Sequence, residues 1–353
     1  SFISCSRSGY LNTLNIFNQN QNKINSEMTS FVNNGINCTI TKSAHWDRRK
    51  LTFYEERLFF QETINLMKKI NFDLIIGWGN LNLEEQIFKE AKKKDIKICF
   101  YLVNPSYLGR DFYLKENADF VVTDSLATKD LYKNFIKKKI FILPKILENQ
   151  LIRGGNNSSN NNCLMINPSI NKGLEPLLKL SKTLERIRPD ISIWLVDGRN
   201  KFYDDLSYLG YSKNELSKNI VLFPACKDIY KIYKNINIVL LFSLWHESGS
   251  RVISEAYSNG LPVICFDTGG NKEFIANNRD DIFDLPKLKL DSNNRIRLMS
   301  WNEEPILKRI FFLLDNKKSY ETYSNNILKL NIAEEKNIEF KKKLSSLLKD
   351  INF

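Results

Sequence analysis

The sequence predicts an α/β protein made of two domains, each built on a parallel sheet. Short apolar runs rich in β-branched residues alternate with longer amphipathic stretches along most of the chain. Strands that alternate with helices are joined by crossovers, which favour parallel pairing. A length of 353 residues suits two domains of ordinary size, and a polar segment interrupts the alternation near the middle.

The first half of the chain carries the signals of six strands and four helices. The strands are predicted at 2–6, 36–41, 73–77, 97–103, 119–123 and 140–143. The helices are predicted near 23–34, 55–70, 82–94 and 125–138. Within 55–70 the apolar residues do not alternate with period two, which favours a helix there. These elements define a first domain over residues 1–150.

A segment without apolar residues, RGGNNSSNNN at 153–162, separates the two halves. Because Gly, Ser and Asn cannot join a core, residues 151–162 are predicted to be a linker. Further strands are predicted at 163–167, 191–196, 220–223, 236–242 and 261–266, and helices at 173–186, at 250–259 and after 303. This pattern assigns 163–335 to a second domain and 336–353 to a final helix.

Composition narrows the class of protein and its partners. Hydrophobic residues make up 42% and charged residues 26%, which excludes a disordered chain, and no apolar stretch approaches the roughly 18 residues of a membrane-spanning helix. The net charge of +12 favours anionic partners without choosing among nucleic acid, lipid headgroups and phosphorylated small molecules. Six scattered cysteines and two histidines argue against a zinc site and fit a reducing, cytoplasmic compartment.

The densest chemical signal lies at 243–275. Two open α/β domains create a cleft, and their ligands bind in the loops beyond the carboxyl ends of the strands. Glu247 lies in such a loop after the strand at 236–242, and Glu255 lies on the helix that follows. Either Ser248 or Ser250 is expected to cap the start of this helix.

The start of this helix suits a phosphate. Free backbone N–H groups at Gly249, Ser250 and Arg251 and the helix dipole attract an anion, and the Arg251 side chain can add a charge-assisted bond. Carboxylates are poor phosphate ligands but good acceptors for pairs of sugar hydroxyls. Glu247 and Glu255 flanking a phosphate therefore indicate a nucleotide sugar, which has hydroxyl-bearing rings on both sides of a diphosphate.

At this point the chain resembles a known family. Glu247-x7-Glu255, an Asn-Gly-x-Pro turn at 259–262 and the glycine pair 269–270 resemble the E-x7-E signature of GT-B glycosyltransferases of family 4. The Asn-Pro-x-x-x-Lys-Gly element at 167–173 resembles the strand-loop-Lys-Gly element that opens the family's C-terminal domain. The resemblance is strong over 163–275 and only topological before 150.

The resemblance implies the fold and the reaction. It implies two Rossmann-like domains facing a cleft, with the C-terminal helix 336–353 crossing back to pack on the first domain. It implies a retaining hexosyltransferase of glycan biosynthesis that needs neither metal nor cofactor. The donor would be a nucleotide-diphosphate sugar of UDP or GDP type, and the acceptor a hydroxyl of a glycan or of a lipid-linked or protein-linked glycoconjugate. The chain has no D-x-D triplet, which argues against the metal-dependent GT-A type.

The resemblance also assigns roles. Lys172 would neutralise the donor diphosphate and Glu247 would hold hydroxyls of the transferred sugar, so these two are the expected catalytic residues. Glu255 would bind the ribose. The remaining expected donor contacts are Gly249, Ser250, Arg251, Asn167, Gly198, Arg199 and Cys226, the last in the loop 224–228 that would pass the nucleobase. The expected acceptor-side residues are Gly9, His45 and Asn104.

The sequence leaves alternatives open. The family commonly has an arginine near Asn167 and a histidine near Asn104, and these two departures support a non-catalytic module that binds nucleotide sugars. A GT-B nucleotide-sugar enzyme of another class, such as an epimerase, is a second alternative. The hypothesis of nucleic-acid binding rests only on the positive net charge of the chain. His246 beside Glu247 is a candidate base. A basic, aromatic face of the first domain is compatible with peripheral membrane contact, and the sequence does not give the oligomeric state.

Overall fold

The computed structural model describes residues 28–33, 35–41, 43, 51–79, 81–103, 105–107, 117–147, 160–226, 228–275 and 279–351. These residues divide into two compact units. The first unit consists of the chain up to Leu102 together with two later segments, Ser106–Val122 and Lys133–Ile140. The second unit holds Val103–Pro105, Thr123–Tyr132 and the chain from Phe141 onward. The short segment Thr123–Tyr132 therefore belongs to the second unit, although it lies early in the sequence.

The first described elements form an antiparallel hairpin. Strand β1 (Met28–Asn33) pairs with strand β2 (Ile36–Thr41). Gly35 in the turn adopts a φ of 77°, a left-handed conformation that suits glycine. The helix predicted over 23–34 is therefore wrong where the structure describes it. The Asn-Gly pair at 34–35 between two β-branched runs is a hairpin signal that outweighs the helical pattern. The strand predicted at 2–6 lies outside the described residues.

A four-stranded sheet is formed by the first half of the chain. Its strands stand in the order β3 (Leu74–Gly77), β4 (Lys97–Tyr101), β5 (Phe120–Thr123) and β6 (Ile140–Ile142). The pairs β3–β4 and β4–β5 are parallel, as the sequence predicts.

Two helices accompany this sheet, α1 (Phe53–Lys69) and α2 (Asn82–Lys92). Helix α1 begins with a capping box, in which Thr52 and Glu55 each accept the other's backbone N–H. Helix α2 places Phe88 against β3 so closely that a Cβ on Gly77 would lie 2.5 Å from the ring. Helix α3 (Leu126–Tyr132) follows β5 and belongs to the second unit.

The second unit is built on a six-stranded parallel sheet. Its strands are β7 (Asn161–Ile166), β8 (Ile191–Asp197), β9 (Ile220–Pro224), β10 (Ile238–Leu241), β11 (Val263–Phe266) and β12 (Ile282–Phe283). Their spatial order is β12-β11-β10-β7-β8-β9, and every pair is parallel. The α/β class with parallel sheets is therefore confirmed. The order also places the ends of β7, β10 and β11 side by side.

Helices cover both faces of this sheet. They are α4 (Leu174–Ile187), α5 (Phe202–Tyr208), α6 (Tyr230–Tyr233), α7 (Arg251–Ser258), α8 (Asn271–Phe274), α9 (Glu304–Asp315), α10 (Lys317–Lys329) and α11 (Ile332–Asp350). Alternate strand residues point to opposite faces: Leu240 packs with α4 and α9, whereas Val239 packs with α7. Burial of both faces explains why these strands read as continuous apolar runs.

Two features lie beyond the predicted pattern. Strands β13 (Lys287–Leu290) and β14 (Ile296–Ser300) form a separate antiparallel hairpin. Helix α11 contacts α7, and the side chain of Asn337 bonds to both backbone groups of Leu147, at 3.0 and 2.9 Å. The domain limits and the packing of 336–353 on the first domain stay predictions. Among the described helices, none is both long and apolar enough to cross a bilayer.

Candidate functional site

Three loops at the carboxyl edge of the second sheet meet around Glu247. They follow the adjacent strands β7, β10 and β11, so parallel pairing brings them together. The loop after β7 carries Lys172, the loop after β10 carries Glu247, and the loop after β11 carries the glycine pair 269–270. The two expected catalytic residues and the glycine pair of the motif therefore share one site within the second unit.

The Lys172–Gly173 turn is fixed by backbone contact with the end of β10. Gly173 has a φ of 90°, and a Cβ there would lie 2.0 Å from the carbonyl oxygen of Phe242. The N–H of Leu244 donates to the carbonyl of Asn171 at 2.9 Å. Only glycine at position 173 allows the two backbones to come this close. The glycine therefore fixes the position of the Lys172 backbone, from which the side chain extends.

The backbone of Glu247 is held in the same way from the other side. Gly269 has a φ of 54°, and a Cβ there would lie 2.2 Å from the carbonyl oxygen of Glu247. The N–H of Gly270 donates to that same oxygen at 2.7 Å. The glycine pair 269–270 therefore acts as a support for the loop that carries Glu247.

The carboxylate of Glu247 is oriented by three donors on one oxygen. Its Oε1 accepts from the Lys172 ammonium, from the Ser243 hydroxyl and, at 3.3 Å, from Nε1 of Trp245. Among the residues that the structure describes, no donor contacts Oε2. Burial acts to raise the pKa of Glu247, but the Lys172 charge and these hydrogen bonds outweigh it and hold that pKa below its ordinary value. Glu247 is therefore a carboxylate at neutral pH, with one oxygen left to accept a bond.

Lys172 lies between the carboxylate and an aromatic ring. Its ammonium is 5.6 Å from the centroid of the Trp245 ring, and its side chain is only 19% exposed. The ring face attracts the cation, and the carboxylate neutralises it. The pair leaves a partly accessible positive group beside the open oxygen of Glu247, which is an arrangement suited to an anion that also carries hydroxyls.

Tyr233 and Arg251 both contact the carboxylate of Glu255 on helix α7. The Tyr233 hydroxyl donates to Oε2 at 3.1 Å, and Nη2 of Arg251 lies 3.3 Å from Oε1. Burial and the Glu255 charge raise the pKa of Tyr233 well above its ordinary value, so the phenol stays a donor. The Arg251 guanidinium is thus directed along the helix toward Glu255.

The start of α7 lacks the expected cap. Ser250 occupies the capping position but makes no side-chain capping bond, and the Ser248 hydroxyl donates instead to Oδ2 of Asp124 at 3.1 Å. The prediction that one of these serines caps the helix is wrong because Asp124 competes for Ser248. Among the described segments, no acceptor contacts the N–H groups of Gly249 and Ser250, which leaves these donors available to a ligand.

The loop after β8 places Asn167 next to Gly198. Asn167 has a φ of 55°, and a Cβ on Gly198 would lie 2.6 Å from its Oδ1. This Oδ1 is buried and has no hydrogen-bond partner in the part of the chain described. Asp197 organises the loop, accepting from the N–H groups of Arg199, Lys201 and Phe202 at 3.4, 3.2 and 3.0 Å.

Of the remaining predicted residues, Cys226 lies at the edge of the sheet and the other three lie outside the described part of the chain. Cys226 is exposed after the edge strand β9, and partial burial together with Asp228 raises the pKa of its thiol. Gly9, His45 and Asn104 lie outside the described residues. Their expected acceptor-side roles, like the roles of the donor residues, stay predictions.

The side chain of His246 contacts helix α3. Its Nε2 lies 2.9 Å from the Thr128 hydroxyl. Burial lowers the pKa of His246, and the nearby charges of Glu247 and Glu273 offset only part of this effect. The imidazole is therefore neutral at pH 7 and bonded to helix α3.

Sequence reasoning missed several residues of the site. Ser243 and Trp245 precede Glu247 in the same loop and could have been recognised there as hydrogen-bond donors. Asp124 and Lys145 lie more than a hundred residues from Gly249, and no local pattern marks them. Among all the residues that the structure describes, no group of three or more His, Cys, Asp or Glu side chains could hold a metal ion. Metal independence stays a prediction.

The α/β fold with parallel sheets is that of GT-B glycosyltransferases, as comparison with solved structures shows. The pneumococcal O-GlcNAc transferase GtfA in complex with UDP and GlcNAc is similar with a TM-score of 0.62 and 16% identity, over 91% of this chain and 65% of that one. Anabaena Alr3699/HepE in complex with UDP-glucose is similar with a TM-score of 0.61 and 14% identity, over 89% and 86%. At these identities the likeness establishes the fold.

Sequence comparison finds similarity to one family within the second unit. Residues 167–330 match the family described as "Glycosyl transferases group 1". Spore coat protein SA of Bacillus subtilis (strain 168) is 26% identical over 168 residues, which is 44% of this chain and 44% of that protein. The UDP-Gal:alpha-D-GlcNAc-diphosphoundecaprenol alpha-1,3-galactosyltransferase of Escherichia coli is 34% identical over 92 residues, 26% of this chain and 23% of that enzyme. The chain thus spans less than half the length of these curated relatives.

Proposed function

We propose that the chain transfers a sugar from a nucleotide-diphosphate sugar to a hydroxyl acceptor, with retention of anomeric configuration and without a metal ion. The observation that carries this proposal is the geometry at Glu247. Three protein donors hold its Oε1, and Oε2 has no donor among the described residues. A carboxylate fixed in this way can accept a hydroxyl of the transferred sugar while its own position stays constant.

The diphosphate is assigned to Lys172 and the start of α7. In a nucleotide sugar the phosphate oxygen nearest the sugar gains negative charge as the glycosidic bond breaks. An ammonium beside that oxygen stabilises the departing phosphate, and the open N–H groups of Gly249 and Ser250 add fixed donors. Glu255 would then accept the ribose hydroxyls on the far side, with Arg251 next to it.

The retaining scheme needs no protein nucleophile. The acceptor hydroxyl attacks the anomeric carbon from the face that the diphosphate leaves, the carbon–oxygen bond to phosphate breaks, and the acceptor proton passes to the leaving phosphate oxygen. In this scheme Glu247 accepts a sugar hydroxyl through Oε2, while its Oε1 stays bonded to Lys172, Ser243 and Trp245. His246 is bonded to the Thr128 hydroxyl, so we do not assign it the role of the base.

The relatives suggest which substrates to test first. The two similar structures named above contain UDP-glucose and UDP with GlcNAc, which favours UDP over GDP in the donor. The Escherichia coli relative is named for a lipid-diphosphate acceptor, and the net charge of +12 suits an anionic lipid surface. We therefore infer a UDP-sugar donor and a cytoplasmic, membrane-associated reaction on a lipid-linked acceptor.

The test compares Glu247→Gln with a matched change on the surface. UDP release is measured with a panel of UDP-sugars, with and without glycan and lipid-linked acceptors. Glu247→Gln should lower acceptor-dependent turnover about 100-fold or more because the amide cannot pair with Lys172. Glu321→Gln, on an exposed side chain of α10, should leave turnover unchanged.

The outcomes separate the proposal from its alternatives. Equal turnover in the two variants would reject the role of Glu247. Sugar released as an epimer without any acceptor would identify an epimerase instead. UDP binding in calorimetry with no turnover on any donor and acceptor would identify a binding module.

A further inference from the structure

The turn that carries Gly249 is held from behind by a charged pair. The Lys145 ammonium donates to the carbonyl oxygen of Gly249 at 2.8 Å and lies 2.9 Å from Oδ2 of Asp124. The Ser248 hydroxyl donates to the same Asp124 oxygen at 3.1 Å. All four residues belong to the second unit. Asp124 and Lys145 lie outside the matched family region 167–330, and no motif of the sequence marks them.

This contact fixes the direction of a free donor. In a planar trans peptide the carbonyl and the following N–H point in opposite directions. Because Lys145 holds the carbonyl of Gly249, the N–H of Ser250 must point away from Lys145. The ammonium also polarises that peptide group, which makes the N–H a stronger donor. No protein acceptor in the described ranges contacts this N–H, so it is available to a ligand.

Asp124 of this pair, together with Phe274, explains why residue 249 is glycine. A Cβ at Gly249 would lie 2.9 Å from the Cβ of Asp124 and 3.2 Å from the Phe274 ring. The Asp124 side chain is fully buried, and Lys145 is 32% exposed, so the pair is shielded from water on one side. A buried carboxylate of this kind requires its cation, which makes the whole arrangement rigid.

We propose that Lys145 and Asp124 are positioning residues for the donor diphosphate. They act through the Gly249 carbonyl, which sets the N–H of Ser250 to bind a phosphate oxygen. The positive charge of Lys145 is neutralised by Asp124, so its effect on the ligand comes through orientation of the peptide. This inference rests on the proposed function, since it concerns the phosphate end of the same donor.

The experiment compares two ligands that differ only in the diphosphate. Binding of UDP is measured by calorimetry and binding of uridine by ligand-observed NMR. Lys145→Met should weaken UDP binding about tenfold or more and leave uridine binding unchanged, because only UDP reaches the oriented N–H. Lys145→Arg should restore most of the UDP affinity, since a guanidinium can donate to both the Gly249 carbonyl and the Asp124 carboxylate. Lys93→Met, at an exposed side chain directly after α2, is the matched control.

A second variant keeps the test valid if Lys145→Met unfolds. Lys145→Met alone leaves Asp124 buried without its cation, which destabilises the fold. The double variant Asp124→Asn with Lys145→Met removes both charges and should fold, as checked by its thermal midpoint, while it still lacks the Gly249 contact. It should show the same loss of UDP binding.

Each result decides a different question. Unchanged UDP affinity in a folded variant would overturn the positioning role while the proposed function stands. An equal loss for UDP and uridine would also overturn it, because a general disturbance of the fold affects both ligands. If the unmodified chain binds neither UDP nor GDP, the proposed function fails together with this inference.

Discussion

The carboxylate of Glu273 accepts the backbone N–H of Ala127 at 2.6 Å and, through its other oxygen, the N–H of Leu126 at 2.7 Å. Glu273 lies on α8, directly after the glycine pair 269–270 that supports Glu247. Leu126 begins α3, whose first N–H groups have no partner inside the helix. A single side chain therefore caps α3 and ties it to the loop that shapes the candidate site.

Removal of this cap should destabilise the second unit. Glu273→Ala leaves two helix-start N–H groups unbonded and removes a negative charge from the positive end of the helix dipole. We expect the free energy of unfolding to fall by about 1–2 kcal/mol, measured by urea denaturation. Glu321→Ala, on the exposed face of α10, should change it by less than about 0.5 kcal/mol. Equal midpoints for the two variants would show that the cap contributes nothing.

Gly269 offers a sharper test because a matched glycine exists. Gly269 and Gly210 both have positive φ, at 54° and 85°, so alanine strains the backbone at either position. A Cβ on Gly269 would meet the backbone of Glu247, whereas a Cβ on Gly210 would meet nothing within 4 Å. Gly269→Ala should therefore displace Glu247 and lower kcat about 100-fold. Gly210→Ala should cost about 1–2 kcal/mol in stability and leave kcat unchanged.

The control also identifies the cause of any lost turnover. Stability is followed by thermal unfolding, and turnover by UDP release at saturating donor and acceptor. If both alanine variants lose the same fraction of turnover, backbone strain alone explains the loss. In that case the contact of Gly269 with the backbone of Glu247 contributes nothing to turnover.

Local patterns in the sequence predicted much of the second unit and of the site. The apolar runs at β7, β8, β10 and β11 marked the parallel sheet because both of its faces are buried. The Lys172–Gly173 turn and the 247–255 motif could be recognised because each is continuous in sequence. Their meeting in space follows from the order of the strands, which the α/β pattern implies.

The errors have physical causes as well. Strand β1 lies within the helix predicted at 23–34, because the turn signal at 34–35 outweighs the helical pattern, whereas β2 is the strand predicted at 36–41. The prediction of a serine cap is wrong because the Ser248 hydroxyl donates to Asp124 instead. No local sequence pattern indicates a partner so distant in sequence. Lys145 was missed for the same reason, since its contact with Gly249 depends on tertiary structure.

His246 is bonded through Nε2 to the Thr128 hydroxyl, on the helix that Glu273 caps. Its pKa in the folded protein lies below its ordinary value, mainly because of burial. The unfolded chain therefore binds a proton more readily than the folded chain does. The stability that His246 contributes is complete above the unfolded pKa and is lost as the pH falls toward the folded pKa.

Replacement of His246 by glutamine separates its structural role from a role as base. Glutamine can keep a bond to Thr128 but cannot titrate, so His246→Gln should change stability at about pH 7.5 by less than about 1 kcal/mol. Between about pH 7.5 and about pH 5.5, its free energy of unfolding should fall less steeply than that of the unmodified protein. The kcat of the variant should stay within about threefold of the unmodified value, because neutral His246 transfers no proton in the proposed scheme. A loss of turnover by 100-fold or more, with an altered pH profile of kcat, would instead identify His246 as the base and reject the transfer of the acceptor proton to phosphate.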